Sequence, residues 1–452
     1  MPVSPSRAAA FDILLRVERE NSYASELLHS SAYQKLARPD HALATELVLG
    51  VLRWRSRLDD EIAKAASQPL KKLDLEVLTA LRVAVYQFRF LDRIPHRAAL
   101  NESVELVKRA RKRSAAPLVN AVLRKLSASN PLCPPVPPVV NSSSPEETAK
   151  MWAHPQWLVE RWARDYGEAA AEEICRYNQS TPRTTIRLRD QKSESELASE
   201  GVSVAPGAFL SSARRLESGD IIRTKAFRGR QVVIQDEASQ LVATLVGRVE
   251  KKDARILDCC AAPGGKTLAI SDNNPRATIT ALEIHPHRAR LMQKLVGTSA
   301  STRIKIVAAD ATNMPVSMKF DRILVDVPCS GTGTLARNPE IKWRLKPEDL
   351  AELHDRQLAL LRSALTHLAA GGRLVYSTCS LEREENEDVI EQALAENASV
   401  RLLNCGEELY RLKENGELTV SNPESLTRGR YLRTIPGIHP TDGFFAAIIE
   451  KI

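Results

Sequence analysis

The stretch FDRILVDVPCSGTG, residues 320–333, decides how this chain is read. Its first half, through Val325, is the apolar run of a buried strand in a parallel sheet. At the end of that run stand Asp326, Pro328 and Cys329, followed only by small residues that include Gly331 and Gly333. In open α/β sheets, ligands and reacting groups gather beyond the carboxyl ends of the strands. A lone cysteine there is more often a small buried hydrophobe than a nucleophile, so the reading depends on the company it keeps.

Outward from this stretch the same pattern repeats. Apolar runs RILDCC (255–260), TITALEI (278–284), IKIVAAD (304–310), DRILVDVP (321–328) and GRLVYSTC (372–379) alternate with helix-compatible pieces such as HRARLMQKL (287–295). Strand, loop and helix in repetition from about Gln231 predict a doubly wound α/β domain, with GFFAAIIEKI (443–452) as its closing strand.

The strand ends carry the chemistry. LDCCAAPGGKT (257–267) passes from a strand into a helix through Cys260, Ala261, Ala262, Pro263, Gly264, Gly265 and Lys266. Glycines let backbone approach a ligand closely, and a helix N-terminus offers unpaired amides. The loop matches neither G-x-G-x-x-G nor G-x-x-x-x-G-K-[ST]. Glu283, about 20 residues past the loop, stands where ribose hydroxyls are bound. Asp310 ends the next run and suits the exocyclic amine of a base. A nucleoside pocket without a phosphate loop favours S-adenosylmethionine.

Two further strand ends bring Cys329 and Cys379, the latter in YSTCSLEREENE (376–387). Paired thiols beside a methyl donor suit an acceptor carbon that must first be made nucleophilic. Cytosine C5 is such a carbon: a thiolate added at C6 turns the ring into an enamine-like nucleophile. Asp326 can hold the N3 edge. Loss of the C5 proton and elimination of the thiol give a second cysteine a role, and spacing alone leaves the two interchangeable.

The rest of the chain is of a different kind. Up to about residue 128 apolar positions recur at helical spacing, as in Leu75, Leu78, Leu81, Val85 and Phe88, and the run from Leu100 to Leu126 carries Lys108, Arg109, Arg111, Lys112 and Arg113. CPPVPPVVNSSSPEE (133–147) reads as an extended linker, because prolines lack amide donors. Beyond it lie a helical stretch (154–178) and alternating short pieces up to about 230.

A net charge of +8 permits a nucleic-acid partner without demanding one. The seven cysteines form no Cys-x-x-Cys pair, so neither zinc nor a disulfide framework is expected. The first twenty residues are charged too early for a signal peptide, and no apolar run is long enough to cross a bilayer. A cytoplasmic monomer without a metal or a membrane partner is the expectation.

These motifs resemble the bacterial RsmB/Sun-type (Fmu) ribosomal RNA cytosine-C5 methyltransferases of the NOL1/NOP2/Sun group. The pieces that carry the resemblance are QDEASQLV (235–242), LDCCAAPGGKT, DVPCSGTG, RNPEIKWR (337–344), STCSLEREENE and DGFFAAIIEK (442–451). At the front, LVLGVLRWRSRLD, IPHRAALNESVELVK and LVNAVLRKL are similar to a NusB-like RNA-binding module.

The resemblance implies four parts: a NusB-like all-α bundle (1–130), a linker (131–150), a small α+β RRM- or ferredoxin-like extension (151–230) and a Rossmann-like S-adenosylmethionine-dependent methyltransferase domain (231–452). By motif position it makes Cys379 the nucleophile and Cys329 the residue that assists product release. Cofactor contacts fall on the loop Cys260–Lys266, Glu283, Asp310 and Asp326. Relatives often have Asp where this chain has Glu283. The implied substrate is 16S ribosomal RNA, naked or in a partly assembled small subunit. A transfer-RNA cytosine methyltransferase shares the catalytic motifs and is the alternative within the enzyme class. A non-catalytic RNA-binding or antitermination factor is the alternative outside it.

Overall fold

Apolar spacing in the first 128 residues produces the helices Pro5–Glu20, Ala24–Leu28, Arg38–Ala65, Leu75–Phe90, His96–Arg109 and Ala116–Ala128. The computed structural model describes residues 3–128, 144–190, 192–300, 303–314 and 318–452, side chains 297–300 excepted. Leu47, Val48, Leu52, Leu58, Ile62, Leu81, Val85, Leu106 and Leu123 form the interior of this helical part, each worth about 1.5–3 kcal/mol when fully buried. The run read from Leu100 to Leu126 breaks in the middle. Arg111 takes a positive φ of 62°, and Pro117 sits in the first turn of the next helix, where its missing amide costs nothing. The basic segment is therefore the last turn of one helix, with Lys108 and Arg109, and the turn that follows it, with Arg111, Lys112 and Arg113.

The expected linker lies outside the described residues over 131–143. Its last part, 145–150, is helical: Pro145–Met151 forms a helix whose N-cap, Ser144, accepts from the Glu147 amide at 3.2 Å. Ser at the cap, Pro at the first position and Glu146 and Glu147 in the first turn are together a helix-start signal. That signal outweighs the linker-like composition before it.

Two compact units result: residues 1–181 with 335–344, and residues 182–334 with 345–452. The stretch read as one extension, 151–230, contributes to both. Its helices Gln156–Tyr166 and Glu168–Gln179 belong to the first unit, with Trp152 and Trp162 buried as packing residues. Its strands belong to the second.

Leu335–Arg344 follows directly on the Cys329 loop, yet it packs as part of the helical unit. Glu340 Oε1 accepts from the Ala24 amide (2.9 Å), Arg53 donates to the Ala336 carbonyl (2.9 Å), and Trp343 Nε1 donates to the Leu52 carbonyl (2.6 Å). Lys342 is fully buried, donating to the Arg53 carbonyl at 2.8 Å. Burial holds its ammonium well below the ordinary lysine range.

In the second unit, β1 (Thr185–Leu188), β2 (Ser203–Pro206), β3 (Ala213–Ser218) and β4 (Val232–Ile234) form a small antiparallel sheet in the order β2-β3-β1-β4. The remaining strands are β5 (Arg255–Asp258), β6 (Thr278–Glu283), β7 (Ile304–Ala308), β8 (Phe320–Asp326), β9 (Leu368–Thr378), β10 (Val400–Leu403), β11 (Thr427–Arg428), β12 (Tyr431–Thr434) and β13 (Phe444–Lys451). Among the described residues they make one nine-stranded mixed sheet. Its parallel part runs β9-β8-β5-β6-β7, and β13 enters antiparallel beside β9, so the closing strand is present but reversed. Ile323, Leu324 and Val325 are buried on both faces, as a central parallel strand requires.

Candidate active site

Parallel register brings the chemically distinctive residues to one edge. Asp258 lies opposite Leu324 of β8 and Ala281 of β6, Glu283 opposite Ala308 of β7, and Asp326 opposite Ser377 of β9. Loops leaving these strands therefore open in a row along the carboxyl edge of the sheet.

At its centre Asp326 is held from two sides. Lys266 Nζ donates to Oδ2 at 2.8 Å and Ser377 Oγ donates to Oδ1 at 2.7 Å. Lys266 also stands 5.1 Å from the centre of the Phe444 ring, a cation–π contact. Burial is the largest influence on Lys266 and opposes its charge. Asp326, through charge and hydrogen bond, together with Cys379 and Asp258, outweighs it and holds the ammonium above its ordinary range.

Beside this pair the two thiols meet. Cys329 Sγ and Cys379 Sγ are 3.3 Å apart and both half-buried. The hydrogen bond to Cys379, then burial, then the charges of Cys379 and Glu385 push the Cys329 thiol well above the usual cysteine range. Gly333 explains the glycine-rich tail of the opening stretch. Its amide donates to the Cys379 carbonyl (2.9 Å) and its carbonyl accepts from the Gly443 amide (2.8 Å). A Cβ there would lie 2.2 Å from the Gly443 oxygen, so no larger residue fits. Gly331 takes a φ of +75°, which glycine tolerates.

Both thiol loops rest on buried polar groups from Ser380 to Asn386. Asn386 accepts from Thr378 Oγ1 (2.5 Å) and donates to the carbonyls of Ser380 (2.9 Å) and Glu382 (2.7 Å), tying the residues on either side of Cys379. The run from Glu382 to Glu387 has the composition of a solvated helix start, yet Glu382, Glu385 and Asn386 are fully buried. Sequence reasoning also passed over Asp258. Its Oδ2 accepts from Thr267 Oγ1 at 2.6 Å, while Oδ1 is buried without a protein partner.

Burial is the main reason that the Asp258 carboxyl is raised from 3.8 to about 7. Asp326 adds to the effect; the Thr267 hydrogen bond, Lys266 and the Cys260 amide oppose it. A carboxyl raised by folding favours the folded state at low pH, and that contribution is lost as pH rises through about 7. Asp258→Asn is therefore expected to raise the melting temperature by a few degrees at about pH 8 and by less at about pH 5. Thermal melts at the two pH values check this; an equal shift at both would show that the carboxyl does not titrate there.

The glycine loop starts the helix Gly265–Asn273, with Gly264 at its N-cap and φ +108°. Cys260 is half-buried and Cys259 buried; burial is the main cause that raises both thiols, with Cys260 and then Asp258 adding at Cys259, and Asp258, Asp326 and Glu283 adding at Cys260. Glu283 is buried and accepts from the His285 amide at 2.9 Å. Asp310 is exposed and accepts from the amide and hydroxyl of Thr312, each at 2.8 Å. The donor set comprises first-turn amides, the free oxygen of Asp258, and the acids Glu283 and Asp310. It offers donors to a carboxylate and acceptors to an ammonium group, ribose hydroxyls and a base amine, and so fits an amino-acid nucleoside.

Strand order, the glycine loop and the acids at successive strand ends are those of a Rossmann-like methyltransferase domain. Comparison with known proteins narrows the class. The model of the family "16S rRNA methyltransferase RsmB/F" matches residues 247–450, that of the NusB family residues 4–128, and that of the RsmF/B-like ferredoxin-like domain residues 154–221. A "probable ribosomal RNA small subunit methyltransferase B" of Bacillus subtilis (strain 168) is 34% identical, the alignment covering 98% of each chain. A protein of the same description from Synechocystis sp. is 33% identical over 99% of each. The solved structure of PH0851 matches the fold over the full length of both chains, with a TM-score of 0.80 at 22% identity. The chain belongs to the RsmB/F family of 16S rRNA methyltransferases, with the NusB-like N-terminal domain and the ferredoxin-like segment of that family.

Proposed function

We propose that the protein transfers a methyl group from S-adenosylmethionine to C5 of one cytosine in 16S ribosomal RNA, through a covalent bond between Cys379 and C6. The observation that carries this reading is the thiol pair, with Cys329 and Cys379 only 3.3 Å apart next to the Asp326–Lys266 ion pair. When bound, S-adenosylmethionine supplies an electrophilic methyl group. The Cys260–Lys266 loop, Glu283 and Asp310 would hold it, with Asp258, whose unpaired oxygen suits an ammonium group.

The chain's own residues do the rest. Cys379 Sγ adds to C6 of a base taken out of its stack, which makes C5 nucleophilic. Asp326 holds the N3 edge of the base by accepting from its exocyclic amino group, and Lys266 and Ser377 fix the carboxylate in place. The hydrogen bond to Cys379 and burial push the Cys329 thiol up, and in this reading Cys329 is the proton donor of the pair. Elimination breaks the C6–S and C5–H bonds: the Cys329 thiol gives its proton to the departing Cys379 sulfur, and the Cys329 thiolate so formed takes the C5 proton and is a thiol again.

Tritium-methyl transfer to unmodified 16S rRNA and to transfer RNA tests the substrate. Label recovered as 5-methylcytosine in ribosomal RNA is expected, with binding that weakens steeply as salt rises, because phosphate contacts release counterions. Label in transfer RNA alone would keep the chemistry and overturn the substrate. Label at another base atom would overturn the chemistry.

A further inference from the structure

Each of the two active-site cysteines is followed by a serine, and both serines point to one buried carboxylate. Glu385 Oε1 accepts from the Ser330 amide (2.7 Å) and from Gln357 Nε2 (2.8 Å). Glu385 Oε2 accepts from the hydroxyls of Ser330 and Ser380, the latter at 2.5 Å. Four donors thus converge on two oxygens, two on each, the full accepting geometry of a carboxylate. The serine hydroxyls stand 3.0 Å from each other.

The surroundings are built to keep this group in place. Glu385, Ser380 and Gln357 are fully buried and Ser330 nearly so. Gln357 also donates to the Pro328 carbonyl at 3.0 Å, on the other side of Cys329. Tyr376 donates to the backbone carbonyl of Glu385 at 2.6 Å. Ser380 Oγ accepts from the Glu382 amide at 3.0 Å, and Thr332 Oγ1 accepts from the Leu381 amide at 2.9 Å. A buried carboxylate without partners would be costly, and one with four donors is a rigid joint.

We propose that Glu385 is a positioning residue for the thiol pair, a bracket that sets the separation of Cys329 and Cys379 through Ser330 and Ser380 and keeps the charge beside Cys329 negative. The proposal rests on the two-thiol reading for its effect on turnover. Its effect on the thiols stands without that reading. Buried charge-assisted hydrogen bonds to both loops mean that moving Glu385 moves both sulfurs together. The titratable groups facing Cys329 are Cys379, Glu385 and the buried phenol of Tyr376.

The test uses the full-length chain with Glu385→Gln, Glu385→Ala and Ser380→Ala. Turnover, the KM for S-adenosylmethionine and the pH profile of iodoacetamide labelling at Cys329, mapped by peptide mass, are measured together. Glu385→Ala is expected to cut kcat by about 100-fold with the KM for the donor unchanged, a scale ordinary for a misplaced reacting group. Glu385→Gln can keep the contacts by reversing two hydroxyls, so it should recover part of kcat. Both should label Cys329 at lower pH than the wild type does, because a neighbouring negative charge is gone. Ser380→Ala should lower kcat less.

Wild-type turnover and labelling in Glu385→Gln would overturn the proposal. So would a fall in turnover with an unmoved labelling profile, the mark of a merely structural residue. If Glu385→Ala does not fold, Glu385→Gln carries both arms. Should the wild-type enzyme transfer no methyl group to RNA, the two-thiol reading fails by itself, while the labelling shift still decides for or against the bracket.

Discussion

Cys379→Ala is expected to lose methyl transfer by a factor on the order of 10⁴ or more, the scale on which removing a covalent nucleophile slows other enzymes, while still binding S-adenosylmethionine. The loop should survive the change. It is held by its backbone and its neighbours, through the Gly333 amide on the Cys379 carbonyl and through Asn386 on Thr378 and Ser380. The thiol itself is half-buried, so its removal opens little cavity in the core. The residues assigned to the donor lie at or just after the ends of β5, β6 and β7, whereas Cys379 directly follows β9. Methyl incorporation and equilibrium dialysis of labelled donor, run side by side, separate the two effects. Turnover near the wild-type rate would remove Cys379 from the nucleophile's role. Joint loss of turnover and donor binding would instead mean that the substitution had collapsed the edge of the sheet.

What could be read before the fold was known follows from periodicity and from strand ends. The apolar run before Asp326 is buried on both faces, and Asp326, Cys329 and Cys379 share one edge because adjacent parallel strands must end side by side. The glycine loop and Glu283 follow from the same rule. Glu385 could not be found that way. It lies in a run of five acidic and basic residues with one asparagine, Glu382 to Glu387, that has the composition of a solvated surface, and its burial depends on Ser330, 55 residues earlier in the chain. Lys342 was hidden for a similar reason. In RNPEIKWR it looks like a surface cation, but it is a fully buried donor to a carbonyl of the helix Arg38–Ala65. Pairings across such distances leave no period in the sequence. Asp258 was visible only as the last residue of a strand; its free oxygen and its raised carboxyl appear once Thr267, Lys266 and Asp326 surround it. The helix beginning at Pro145 was legible in principle, since Ser144-Pro145-Glu146-Glu147 is a helix start, but the prolines before it dominated the composition.

Cys329→Ala should have the opposite phenotype to Cys379→Ala: the first covalent step intact and the last one blocked. The nucleophile remains, so addition at C6 and methylation at C5 proceed. Elimination then has to expel a thiolate into a half-buried site that no longer contains the neighbouring thiol 3.3 Å away. Without a donor to that sulfur the enzyme is held on its product. Turnover is expected to fall by about 10²–10⁴-fold, the usual contribution of a positioned proton donor. An RNA–protein adduct resistant to denaturant should accumulate, visible as a slow band on a denaturing gel and containing tritium from the donor. The label discriminates between steps, because an adduct stalled before methylation would carry none. Adding Cys379→Ala to Cys329→Ala should abolish the band, since the bond to C6 would have no sulfur to form it. An adduct that persisted in the double variant would assign the bond to another residue. A single Cys329→Ala variant that turned over normally would mean that expulsion of Cys379 needs no partner, and the 3.3 Å approach of the two sulfurs would then have no part in product release.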